Sequence, residues 1–477
     1  MPPTSSTLAL RPVQTAPPPD TIWSRISEDD FRQHLVTLEK QTNAVPMDVL
    51  QSAEGEGEGD DEQDNGSGSR LFLPLKTEKQ FADDFAYVAA VTEGAQSVAA
   101  VCLEQYPHVG TLEGRPHTLV IRVAGMDVID ENVRELIQAV VAQLQYHTQT
   151  EPDSTEIIFR SIIAQHSQKL LGRLRSRKWT KPKHLARTHK KPLWQDFENL
   201  IHRAQHIYAR KPERRIRDAL ASSIQEICEV YEEFEEASGS SGGQTDHQQA
   251  LLQNLVKATF TWCKSPLIGD YASKLDKIAG KGNNTTRQVA AAIKTLRQLE
   301  KIGAYWRIAV DLVAVATTYK HVFQRIDVEY LTPFASVPTS IAYESWAHMC
   351  HVHAEIQLIV ELAKKSVSQS QQQAGIDNNP STINEMRQPR TIGTSKYLCY
   401  LCYLFLQYHG GFQMLSTHGR LYDQWTVPDL AEYNTATRDK IAAVLVEMDE
   451  HVVRQIKETK CIVWRAEPMT SRQNLLL

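Results

Sequence analysis

From about residue 155 onward, apolar positions recur three and four apart and predict amphipathic helices near 155–178, 193–210, 213–236, 248–262, 286–303 and 305–324. The polar run ASGSSGGQTDHQQ, 237–249, interrupts them and reads as a flexible linker. No fixed repeat period is present, which argues against a solenoid. Upstream, KQFADDFAYVAAVTEGAQSVAAVCLEQY (79–106) reads as one amphipathic helix and HTLVIRVAG (117–125) as a strand, and Asp130 caps a further helix through VRELIQAVVAQLQ. A short helix is expected at 26–39. The run EGEGEGDDEQDNGSGS from Glu54 holds seven acids and almost nothing apolar, so it cannot offset its ordering entropy.

The last third of the chain changes character. VEYLTPFASVP is an extended stretch. Ile356, Ile359, Val360 and Ala363 then mark one buried helical face. A polar loop of about 25 residues starts at Ser366, followed by RTIGTSK as a strand. Leu401, Leu404, Phe405 and Tyr408 form a second helical face stopped by Gly410 and Gly411. FQMLST has strand character.

The pattern predicts a mainly α chain with an α/β C-terminal domain and a large helical N-terminal region. Its expected units are a Pro-rich and acidic disordered tail (1–70), a small α/β unit (71–150), a helical region (151–325), a compact α/β domain (326–435) and a C-terminal helix and tail (436–477). At 477 residues, several folded units are the prior expectation.

Composition narrows the class only slightly. With 42% hydrophobic residues, 23% charged residues and a net charge of −5, there is no global bias toward polyanions or lipid. No apolar run of about 18 residues and no signal-peptide pattern is present, so neither a membrane span nor secretion is expected. Seven cysteines, an odd number, do not suit a disulfide framework and point to a reducing cytoplasmic or nuclear setting.

One local charge feature stands out. Arg173 to Lys191 holds nine Lys and Arg residues, no acid, and Trp179. Arg173, Arg175, Arg177, Lys178, Lys181 and Lys183 are candidates for phosphate-backbone contact, against a solvated helix end as the plainer reading.

The sharpest chemical signal joins HVHAEIQL (351–358) to YLCYLC (397–402). Cysteines three apart at a helix start project the same way, and a helix N-terminus favours thiolate. Cys399 and Cys402 are thus half of a zinc site, with His353 as third ligand if it precedes the regular turns of its helix. Three protein ligands leave the fourth tetrahedral position for a water that zinc acidifies, and Glu355 is placed to move its proton. His348, Cys350 and His351 crowd the same approach. Any of them could close the site as a structural zinc, which would make the protein a non-enzymatic scaffold.

His-x-Glu followed by Cys-x-x-Cys resembles the signature of the zinc-dependent cytidine deaminase superfamily. More narrowly, HAEIQLIVEL, IGTSKYLCYLCYLFL and THGRLYDQWTVP resemble a branch found in fungal proteins and some bacterial toxins, proposed to be nucleic-acid or nucleotide deaminases. The resemblance covers roughly residues 326–430. It implies a mixed sheet flanked by helices in an α/β/α sandwich, with zinc on His353, Cys399 and Cys402 and a zinc-bound hydroxide as nucleophile. Glu355 would be the proton shuttle, and the substrate a nucleotide or single-stranded nucleic acid. Ser395 and Lys396 become candidates for a substrate phosphate or hydroxyl, His418 for a base edge and Trp425 for base stacking. The sequence departs from the pattern at Leu398, where the superfamily usually has proline. The helical region remains open to protein partners.

Overall fold

The computed structural model describes residues 21–46, 72–94, 97–106, 118–147, 154–183, 191–237, 246–279, 286–373 and 386–459. The chain is mainly helical, with a mixed sheet flanked by helices. The sheet starts with β1 (Ala99–Gln105), paired antiparallel to β2 (Leu119–Gly125) across seven residues. β2 pairs in parallel with β3 (Ile326–Tyr330). The opposite edge of β1 is met by the short antiparallel β6 (Gly393–Thr394), giving the order β3-β2-β1-β6. A small hairpin of β4 (Val337–Pro338) and β5 (Met349–Cys350) stands outside it.

This pairing revises the expected division of the chain. The strands near residues 100 and 120 share one sheet with those near 328 and 393, so the small α/β unit and the C-terminal domain form one layer. The helices between them form a crossover joining two neighbouring parallel strands. Helical periodicity could not reveal this, because strand partnership is nonlocal.

The stretch 79–106 is likewise two elements. Helix α2 (Leu75–Ala89) ends before Gly94, which has φ 118°, and the chain resumes as β1. Every residue of β1 and of β2 is buried. A strand covered on both faces shows a continuous apolar run instead of alternation, which is why β1 reads as helix. Val101 and Leu103 face a core shared with α2, α3 (Glu131–His147), α4 (Ser154–Leu174) and the crossover helices. Ala100 and Cys102 face the other core, built around α10 (Ala354–Gln373), α11 (Tyr400–His409) and α12 (Thr435–Glu458).

The crossover contains α5 (Phe197–Ile207), α6 (Arg214–Glu236), α7 (Asp246–Cys263), α8 (Pro266–Ala279) and α9 (Arg287–Thr318). The two helices expected between 286 and 324 are one, and α8 had not been anticipated. The expected linker ends earlier than 249, since α7 starts at Asp246. In α9, Arg307 makes a bidentate pair with Asp84 of α2, at 2.5 and 3.1 Å, fastening the crossover to the sheet's own helix.

The N-terminal tail is corrected as well. Helix α1 (Glu28–Thr42), N-capped by Ser27, packs against α12 and buries Phe31, Leu35 and Leu38. Ile22 and Trp23 join the same core. Each such side chain contributes about 1.5–3 kcal/mol on burial, enough to order a short segment that finds a complementary face. The acidic run from Glu54 lies outside the described residues.

Two further expectations change at the C-terminal end. Helix α10 extends to Gln373, into the stretch expected to be loop. FQMLST forms no strand; its extended character survives as a single bridge, Leu398 to Thr417.

Candidate metal centre

Two helix starts meet beside β1. α10 begins at Ala354, and the carbonyl of His353 accepts from the amide of Gln357, so His353 occupies the N-terminal cap position. Gln357 secures that turn by donating to the carbonyls of Gly125, 2.9 Å, and Val352, 3.0 Å. This buried glutamine was not singled out in the sequence. Its only signal was an amide beside an otherwise apolar face.

Cys399 is the cap residue of α11, and its sulfur accepts from the Cys402 amide at 3.4 Å. His353 Nδ1 lies 3.5 Å from Cys399 Sγ and 3.4 Å from Cys402 Sγ. The three donor atoms sit within 4.8 Å of one another, a group that could hold a metal ion. Glu355, buried in the first turn of α10, puts Oε2 3.6 Å from Cys402 Sγ.

Two thiolates and an imidazole are donors that suit zinc. The protein's own electrostatics favour the thiolate at only one of the two sulfurs. Burial opposes ionisation of Cys399, but the bond from Cys402 and the neighbouring His353 hold its thiol well below the usual range. Burial raises Cys402, and the Cys399 thiolate raises it further. Burial also raises Glu355, an effect partly offset by His353.

Leu398 has a structural reason to replace proline. Its amide donates to the Ser416 carbonyl at 3.0 Å, and its carbonyl accepts from His418 N and Thr417 Oγ1. Proline has no N–H for the first of these bonds.

The other candidates divide. His418 is buried, and its Nδ1 accepts from the Arg420 amide at 3.1 Å, which puts the proton of the neutral ring on Nε2. Burial pushes its pKa down to about 4, so the ring is a neutral donor. Tyr422 lies between His418 and His353, with ring centroids 6.1 and 6.3 Å away, and Arg420 stands over its face at 5.2 Å.

Trp425 is corrected from a stacking platform to a core residue. It is 1% exposed, with its ring 5.9 Å from Phe405 and its indole near the Cys402 sulfur. Ser395 is drawn into the sheet, exchanging bonds with the Ala99 backbone. Lys396 donates to the Gly94 carbonyl at 2.8 Å.

The basic stretch is not a uniform face. Arg173 lies over the rings of Tyr87 and Tyr305, Arg175 pairs with Asp196, and Lys178 caps α6 at the Phe234 carbonyl. These three thus make contacts within the fold and are half-buried. Arg177, Lys181 and Lys183 are exposed. Residues 184–190 lie outside the described residues.

None of His348, Cys350 or His351 joins the metal-capable group among the described residues. Arg32 of α1 meets the Cys350 sulfur, and His351 is exposed.

A family profile for an OTT_1508-like deaminase matches residues 352–429, the span that holds both helix starts. Neither curated proteins nor solved structures give a match. The span similar to that deaminase family contains a His/Cys/Cys group that could bind metal. No described helix is long and apolar enough to cross a membrane.

Proposed function

We propose that the protein is a zinc-dependent hydrolytic deaminase acting on the nucleobase of a nucleotide or of single-stranded nucleic acid. The observation that carries this reading is the convergence of His353, Cys399 and Cys402 with Glu355 at 3.6 Å from the Cys402 sulfur. The three side chains would hold the zinc, and zinc in such a site supplies the Lewis acidity that brings a water toward ionisation near neutral pH.

The chain's own residues supply the rest. Glu355 is buried and its carboxyl is raised above the usual range, so it would take one proton from water for a ring nitrogen and then the second, from the adduct's hydroxyl, for the leaving amine. His418 offers Nε2–H as a neutral donor to a base edge. Tyr422 and Arg420 supply an aromatic face and a cation beside the group. Trp425, packed 5.9 Å from the Phe405 ring, adds an apolar neighbour at the Cys402 sulfur.

Arg177, Lys181 and Lys183, exposed among the described residues of the basic stretch, would approach a polynucleotide. The thiolate pair suits a reducing compartment, the cytoplasm or nucleus. The test is a screen of the full-length, zinc-loaded protein against nucleosides, nucleotides, single-stranded DNA and RNA. Mass spectrometry would read exchange of amine for carbonyl. Turnover of at least one base, abolished by chelation, is expected; no turnover of any substrate by zinc-replete protein overturns the reading.

A further inference from the structure

A cluster of cations sits where the crossover helix α4 meets the loop that leads into β1. Lys169 and Arg173, one helical turn apart on α4, both reach this loop region. Lys169 donates to the Ala90 carbonyl and lies 5.3 Å over the Tyr87 ring. Arg173 lies 5.4 Å from the Tyr87 centroid and 5.8 Å from that of Tyr305. Lys396 comes from the opposite side and donates to Gly94 of the same loop. All three side chains keep partial access to solvent.

Beneath them is a polar floor without matching partners. Tyr87, His166 and Tyr305 are 3%, 0% and 0% exposed. Their rings pack together, with centroids 5.2 to 6.4 Å apart. Nε2 of His166 bonds the Val88 carbonyl, but Nδ1 has no partner. The Tyr87 and Tyr305 hydroxyls lie close to Arg173, yet neither makes a hydrogen bond of normal geometry. Buried polar atoms rarely stay unpaired, because each costs about 1–3 kcal/mol when left so.

Charge is unbalanced in the same place. Glu93 is the carboxylate that acts on all of Lys169, Arg173 and Lys396, and it rests in the notch left by the missing Cβ of Gly172. Burial and mutual repulsion push Lys396 down to about 8 and Lys169 well below its usual range. A dianion held between these cations would remove the repulsion and accept from the orphaned hydroxyls.

We propose that Lys169, Arg173 and Lys396, above Tyr87 and Tyr305, form a binding site for a phosphate group. Lys396 and Cys399 are three residues apart, so their Cα atoms are separated by at most about 11 Å. Tyr87 and Tyr305 belong to the core on one face of the sheet and the cysteines to the core on the other, so the phosphate site and the metal-capable group are linked through the Lys396–Cys399 segment at the sheet edge. The affinity for phosphate stands independently of the deaminase reading; assigning that phosphate to the substrate rests on it.

The test uses the full-length protein and inorganic phosphate as the probe, read by calorimetric titration and by melting temperature against chloride at equal ionic strength. Saturable binding and a raised melting temperature are expected for the wild type and for the exposed-site control Arg215→Met on α6. Lys169→Met and Lys396→Met should lose both effects and, without phosphate, melt at or above the wild type, since each relieves repulsion. Lys396→Arg, which keeps the charge, should retain binding.

Absence of saturable phosphate binding by the wild type overturns the site whatever the variants do. Full retention by both Met variants also overturns it. Competition by nucleoside monophosphates, and not by nucleosides, assigns the phosphate to a nucleotide; binding of inorganic phosphate without such competition supports the site with a free phosphate as its ligand. Loss of deamination with phosphate binding intact would count against the catalytic reading alone.

Discussion

Gly393 of β6 lies against the backbone of Ala82 in α2: a Cβ on Gly393 would stand 2.1 Å from the Ala82 carbonyl carbon and 2.4 Å from the Asp83 nitrogen. The next residue, Thr394, donates its amide to the Asp83 carboxylate at 2.8 Å. The sheet edge leading to the cysteine helix is thereby set by backbone contact with a helix more than three hundred residues earlier in the chain.

Gly393→Ala should therefore destabilise the fold by about 1–3 kcal/mol or more, because backbone cannot rotate away as a side chain can. Chemical denaturation checks it. Lower metal content should accompany the loss, since β6 leads directly to the cysteine helix. A variant as stable as the wild type would mean that the strand and helix are not in contact.

Ligand and proton shuttle should separate by mutation. Cys402→Ser is expected to lose zinc and, because metal binding is linked to folding, to lower the melting temperature. Glu355→Gln should keep zinc and stability and lose about 10² to 10⁴-fold in turnover. Atomic absorption together with the deamination assay distinguishes them. A Glu355→Gln protein without zinc would make the glutamate a ligand.

The N-terminal helix is predicted to contribute to the stability of the core around α10, α11 and α12. Phe31, 1% exposed, packs at 5.6 Å from Trp23, and Phe31→Ala should cost about 3–5 kcal/mol. Deleting residues 1–46 should lower the melting temperature substantially and expose Cys350, which Arg32 now covers. Thiol labelling reports that exposure. Unchanged melting after the deletion would show that α1 does not dock.

Glu39 should make stability depend on pH. Burial, together with the neighbouring Asp423, raises its pKa to about 8, and one of its carboxylate oxygens is buried without a partner. Between the ordinary carboxyl range and pH 8 the unfolded chain ionises Glu39 while the folded chain keeps its proton. The unfolded state therefore binds fewer protons, and stability falls as pH rises through that window. Glu39→Gln removes this penalty, so its melting temperature should match the wild type near pH 4.5 and exceed it by several degrees near pH 8, measured by scanning calorimetry. Equal pH slopes for the two proteins would refute the assignment.

The metal-capable group of His353, Cys399 and Cys402 was legible because its geometry is local. Cysteines three apart at a helix start point the same way wherever that helix is placed, and His353 precedes a face whose apolar spacing announces the helix behind it. Most crossover helices were legible for the same reason. Each carries its own stripe.

What could not be read is what depends on partners distant in sequence. β1 is buried on both faces and lacks alternation, so only pairing with β2 and β6 makes it a strand. The break between the 71–150 unit and the C-terminal domain vanished because Ala100 faces Thr394 across the sheet. Arg173 and Arg175 looked like a solvated basic face until folding brought Tyr87, Tyr305 and Asp196 against them. Sequence by itself determined the donor atoms and the helix starts that aim them, since a few consecutive dihedral angles decide both. Tertiary structure alone decided which strands join, which cations turn inward and what lies beside the metal group, because those follow from burial and hydrogen bonding between segments far apart in the chain.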